Sequence, residues 1–180
     1  MRHIALRRFF WYTLHMHILT LGNELLRQKA QPVKSIGPEY LKIAEDLIEA
    51  LHEQDGIGLA GPQVGLMERI FVIHVAGDTP RVFINPSIIE TSRETDKYEE
   101  GCLSIPGVYT DVVRPLKIKM QAWNEKGRPF TLEADGIVAR ALQHEYDHLE
   151  GVLFIDRISE QKRSRILAKL EKAANKQQAL

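Results

Sequence analysis

The sequence predicts an α+β fold: antiparallel strands packed around a central helix, with one helix on its N-terminal side and another on its C-terminal side. Three observations carry this. Apolar residues recur at helical spacing between positions 40 and 51, four apolar runs bounded by turn residues follow, and the helical period returns from position 135 to 150. With 180 residues, 44% of them apolar, the chain is long enough for one domain and its core.

The elements read as follows. The start, "MRHIALRRFFWYTLHM", carries Arg2, Arg7 and Arg8 beside Phe9, Phe10, Trp11 and Tyr12, without an acidic residue. Residues 1–15 read as a leader or a start assigned too early, outside the fold. Met16 is favoured as the functional start, because the stretch is short and lacks both serine and a small-residue cleavage site. Residues 16–160 read as the folded domain. In "PEYLKIAEDLIEALHEQD", Tyr40, Ala44, Leu47, Ile48 and Leu51 share one helical face, with Pro38 suited to the first turn.

Next comes "GIGLAG", whose Gly56, Gly58 and Gly61 match the spacing of a dinucleotide fingerprint. That motif needs a strand before it and a helix after it, so that the pyrophosphate meets the helix N-terminus. Here the order is reversed, which argues against a nucleotide site. The runs "RIFVIHV", "RVFINPSII", "LKIKMQAW" and "RPFTLEA" read as antiparallel strands, with "NEKG" as a hairpin-type turn between the last two. "EEGCLSIPG" reads as a loop. In "DGIVARALQHEYDHLEG", Ile137, Val138, Ala141, Leu142 and Tyr146 are available for a core face, with Asp135 as N-cap and Gly151 as stop. Residues 161–180 form a basic C-terminal helix or tail ending in "NKQQAL", which should fray.

Composition excludes several classes. Lys plus Arg and Asp plus Glu both number 24, so no global field favours nucleic acid or an anionic membrane. A single cysteine, Cys102, rules out an internal disulfide framework. Charges interrupt every apolar stretch before the roughly 18 residues of a membrane span.

The chemistry sits on the central helix. His144 and His148 are four residues apart, so both imidazoles project from one face and can hold one ion, while Glu145 is placed to reach a water beside it. This is an H-E-x-x-H motif. A tetrahedral catalytic site needs a third protein ligand. Glu150, Asp156, Glu160 and Glu171 lie downstream, outside any metzincin pattern. Upstream, Cys102 offers a thiolate, which a metal would keep deprotonated.

Three segments, "GIGLAGPQ", "EGCLS" and "QHEYDH", in this order and separation, resemble the signature motifs of the peptide deformylases. The likeness extends to "HILTLGNELLR", "FTLEADGIVARALQHEYDHLEG" and "LFIDRIS", and so over about residues 17–160. It implies a metal-dependent hydrolase that removes the formyl group from the N-terminal formylmethionine of new polypeptides. It implies Cys102, His144 and His148 as ligands and Glu145 as general acid and base. Gln63 and the Leu103 amide would stabilise the oxyanion, and Gly58 would lie against the substrate backbone. Ile57, Tyr98, Tyr109, Ile137 and Ala141 correspond to substrate-binding positions. Ferrous iron is implied as the active ion, although one thiolate and two imidazoles also suit Zn2+, Ni2+ or Co2+.

Two departures from the commonest family pattern stand out. Gly61 occupies a position where alanine is usual, which should loosen the Gln63 loop slightly, and Tyr109 stands where many bacterial members carry arginine. The basic tail is a candidate contact to the ribosome through RNA phosphates. A bacterial cytoplasm is expected, or an organelle if residues 1–15 are a genuine leader; no membrane and no sequence-specific nucleic acid are expected. Two rival readings remain: an H-E-x-x-H endopeptidase in which Cys102 is irrelevant, and a metal- or ribosome-binding homologue without turnover.

Overall fold

A computed structural model of the chain describes residues 16–178, so the expectations for residues 1–15 lie outside the described residues. The first helix, α1, is Glu39–Glu53, followed by strands β1 (Gly58–Ala60), β2 (Ile70–Ile73), β3 (Arg81–Thr91), β4 (Thr95–Cys102), β5 (Ile105–Pro115), β6 (Lys117–Trp123) and β7 (Pro129–Asp135). Helix α2 spans Gly136–Leu149 and α3 spans Glu160–Gln178. Among the described residues, no helix is long and apolar enough to cross a membrane.

The strands form a five-stranded antiparallel sheet of order β1-β2-β3-β6-β7 and a separate β4-β5 hairpin. Alternation along β2 explains why its four residues are all buried. Phe71 and Ile73 join a cluster with Ala139, Leu142 and Leu149 of α2, whereas Ile70 and Val72 join one with Tyr40, Ala44, Leu47 and Leu51 of α1. The sheet is therefore covered by a helix on each face, and each fully buried leucine contributes about 2 kcal/mol of apolar transfer. Asn124 turns the β6-β7 hairpin, its Oδ1 accepting from the Lys126 and Arg128 amides, and Gly127 takes the positive φ that the turn needs.

Several expectations require correction. "EEGCLSIPG" is no loop: Cys102 ends β4, Leu103 and Ser104 make the turn, and Ile105 opens β5. Gly58 to Ala60 form a short strand paired with β2. Pro38 is the N-cap of α1, one position before its first turn. Asp135 caps α2 by position only, with no side-chain hydrogen bond, and Ile137 is exposed while Ala139 takes its place in the core. On α3, Ile166, Leu167 and Leu170 pack against a third cluster around Ile105, Val112, Leu153, Phe154 and Ile155. Helix α3 includes Asn175 to Gln178 of "NKQQAL", and the last two residues lie outside the described residues.

Candidate metal centre

Three soft or borderline donors converge at one end of α2. One helical turn stacks His144 under His148, with ring centroids 5.2 Å apart. The β4-β5 turn brings in Cys102, whose Sγ lies 3.3 Å from His148 Nε2, and the three donor atoms fall within 4.8 Å of one another. Glu145 points into the same space. It is almost fully buried, and among the described residues its Oε2 has no hydrogen-bond partner.

The resemblance assigned no role to Glu100, which holds the assembly in register. Its Oε2 accepts from His144 Nδ1 at 3.0 Å, which in the neutral ring leaves Nε2 as the free donor atom. Arg114 clamps both carboxylate oxygens of Glu100, at 2.7 and 2.9 Å, and Arg140 Nη1 reaches Oε1 at 2.7 Å. Arg114 also donates to Asp147, on α2 between the two metal-side histidines, at 2.8 Å, and Arg157 closes on Asp147 from the far side. Glu100 and Asp147 both lie inside the quoted motifs "EGCLS" and "QHEYDH". Burying so many charges is tolerable only because each is paired.

Electrostatics follow from this packing. Burial opposes the thiolate of Cys102, yet His148 and His144 beside it bring the thiol well below its ordinary value. Burial likewise opposes the His144 cation, but hydrogen bonds to Cys102 and Glu100 raise that imidazole to about 10. Burial raises Glu145 to about 7, partly offset by the two histidines. Burial also works against the charge on Glu100, which Arg114 and His144 nonetheless hold far below the usual carboxylate range.

Gln63 lies in a 3-10 turn, Gly61–Val64, almost fully buried. The Ala60 amide donates to its Oε1 at 2.8 Å, which turns Nε2 toward Ser104 Oγ at 3.2 Å and Cys102 Sγ at 3.6 Å. Its donor end thus faces the centre. A Cβ on Gly58 would fall within 2.7 Å of Glu145 Cδ, so the absent side chain is what lets the carboxylate lie there. Gly61 does not loosen the loop. A Cβ there would meet the Leu66 carbonyl oxygen at 2.6 Å, so the glycine lets two backbone segments close on each other.

A cleft of about 440 Å³ opens onto the centre. Ile57, Tyr98, Tyr109, Ile137 and Ala141 all line it, as do Gly58, Gln63, Leu103, Cys102, His144 and Glu145. His148 is buried behind. Tyr109 lies over Gly101 on the exposed side of β5, and Arg140 stacks on the Tyr98 ring at 5.5 Å to its centroid.

The donors fit a divalent ion. One sulfur and two imidazole nitrogens lie within 4.8 Å of one another, and the buried Oε2 of Glu145 finds no protein partner among the described residues. In the metal-free protein the neighbouring imidazoles favour the Cys102 thiolate, and Cys102 and Glu100 favour a proton on His144, which an incoming ion must expel. Apparent affinity should therefore rise with pH up to about 10. Calorimetry in buffers of different ionisation enthalpy should show about one proton released per ion. The metal-free protein should show an ultraviolet thiolate band at neutral pH that Cys102→Ser lacks.

The sequence model of the family described as polypeptide deformylase matches residues 15–164. A peptide deformylase of Neisseria meningitidis (serogroup C) is 47% identical over 159 residues, covering 87% of this chain and 95% of that protein. Among solved structures, a peptide deformylase from Synechococcus elongatus in complex with actinonin superimposes with a TM-score of 0.81 at 42% identity, covering 86% of this chain and 85% of that one. One from Thermotoga maritima gives 0.78 at 44% identity, covering 80% and 97%.

Proposed function

The chain belongs to the polypeptide deformylase family, hydrolases that remove the N-formyl group from new polypeptides, and from that membership we propose how its own residues divide the reaction. The observation that carries the reading is a buried, singly unpartnered Glu145 carboxylate beside a Cys102, His144 and His148 cluster. These three residues hold the divalent ion on which the family depends. The ion supplies Lewis acidity, which acidifies water and polarises the formyl carbonyl. We assign ferrous iron as the active ion; Zn2+, Ni2+ and Co2+ satisfy the same donors.

Glu145 takes the proton from the attacking water and returns it to the departing amine, so that formate and a free N-terminus leave. Without the ion, burial raises the Glu145 pKa to about 7; a bound cation would lower it again, favouring the carboxylate that accepts the proton. Gln63 Nε2 and the Leu103 amide donate to the oxygen that gains charge. Gly58 lets the peptide and the Glu145 carboxylate approach closely. Ile57, Ile137 and Ala141 receive the methionine side chain, with Tyr98 and Tyr109 along the peptide that follows.

The test is formate release from formyl-Met-Ala-Ser by iron-loaded protein, wild type beside Gln63→Leu. Losing one oxyanion donor should lower kcat by about 10²- to 10³-fold with metal content unchanged. An undiminished kcat would remove Gln63 from the mechanism.

Residues 16–160 are read as the catalytic domain and 161–180 as a basic helix. Lys162, Arg165, Lys169 and Lys172 lie on one exposed face of α3, opposite the apolar residues that dock, which supports contact with ribosomal RNA phosphates. Arg157 and Arg163 serve internally, on Asp147 and Asp156. The reading places the protein in a bacterial cytoplasm.

A further inference from the structure

Residues 16–21 form no helix or strand, yet they touch both elements that carry the assigned oxyanion donors. The Leu19 amide donates to the Gln63 carbonyl at 2.7 Å, and the Leu21 amide donates to the Ser104 carbonyl at 2.8 Å. In an extended chain, alternate residues face the same way about 7 Å apart, so the two amides can grip two neighbouring loops at once. The side chains follow the same period. Met16 and Ile18 pack against the cluster that holds Leu66, whereas Leu19 and Leu21 pack against the one that holds Ile105 and Phe154. On the cleft side the same loops are joined by Gln63 Nε2 to Ser104 Oγ.

We infer that residues 16–21 are a positioning strap, whose Leu19 and Leu21 amides set the spacing between Gln63 and the Leu103–Ser104 turn. The donors must be held to a fraction of an ångström to meet developing charge, and neither loop is tied to the other by a strand pair. Gln63 sits in a four-residue 3-10 turn, and Leu103 in the tip of a two-stranded hairpin. The strap ties the two loops from behind, while Cys102, His144 and His148 are placed by β4 and α2. Its two amide hydrogen bonds end on the donor loops, at Gln63 and Ser104, although Leu19, Leu21 and Cys102 pack against one cluster. This inference rests on the roles assigned to Gln63 and Leu103.

The experiment is a double-mutant cycle on iron-loaded full-length protein. Leu19→Pro removes the amide hydrogen that reaches Gln63; an amide-to-ester replacement at the same residue removes it with the side chain kept, should the proline variant not fold. Either change should lower kcat at least tenfold, with KM within twofold and metal content unchanged. In a Gln63→Leu background the same change should cost less than twofold, because the donor it positions is gone. Ile43→Ala, a packing loss on α1, should lower the melting temperature and leave kcat per metal intact. Equal losses in both backgrounds, or an unaltered kcat in the strap variants while Gln63→Leu is crippled, would overturn the strap. An unaltered kcat in Gln63→Leu would instead overturn the role of Gln63 on which it rests.

Discussion

Glu145→Gln should lower kcat by about three orders of magnitude, close to 4 kcal/mol of barrier, and leave one metal ion bound per chain. Glutamine keeps the volume of the side chain, so the seat against Gly58 stays filled, but it can neither accept the water proton nor return it to the amine. The fold should not suffer. The carboxylate is nearly fully buried and one of its oxygens has no partner among the described residues, so its charge is an unfavourable guest in the metal-free protein. The melting temperature of the metal-free variant should equal or exceed that of the wild type. Metal analysis and formate release on one preparation decide the matter. Retained activity would show that another group carries the proton, and lost metal would show that the carboxylate holds the ion.

Cys102→Ala should empty the centre. Two imidazoles one turn apart remain, but the thiolate that completes the set is gone, and so is the negative charge that offsets the His144 cation. Dialysed protein should hold almost no metal, and activity should fall more than a thousandfold. Metal retained by this variant would favour the rival in which a downstream carboxylate completes the site, as in an endopeptidase. The geometry speaks against it: among the described residues, Cys102, His144 and His148 are the cluster whose donor atoms gather at ligand range.

The two variants separate chemistry from architecture, and the network behind the centre shows why both are needed. Glu100 holds His144 by one oxygen and is itself clamped by Arg114, which reaches on to Asp147. Asp147 then receives Arg157, just before α3, and Asp156 beside it pairs with Arg27 and Arg163. The orientation of His144 is thus tied through Glu100 and Arg114 to Asp147 and Arg157. Removing Arg114 would take one partner from each of two buried carboxylates, Glu100 and Asp147.

Local physics was written plainly in the sequence. Helical spacing put His144 and His148 on one face with Glu145 beside them, and apolar periodicity marked α1, β2, β3, β6, β7 and α2. These depend on neighbours within a turn or a strand, so a short window contains them. The residues offered Cys102 as a candidate thiolate, and resemblance assigned it as a ligand and added Gln63 and the cleft residues. The β4-β5 hairpin escaped because charged residues and Gly101 hide its alternation, and because three of its buried residues, Glu100, Thr110 and Arg114, are polar beside the apolar Ile105 and Val112. Ile137 misled for the opposite reason: an apolar residue on a helix reads as core, yet here it faces the cleft. What only the tertiary structure decided is which distant groups meet. Cys102 reaches His148 across 46 positions, and Glu100 reaches His144, like the Leu19 amide the Gln63 carbonyl, across 44. Such contacts are set by strand register and by the need to pair every buried charge and backbone group, and neither constraint is visible until the chain is folded.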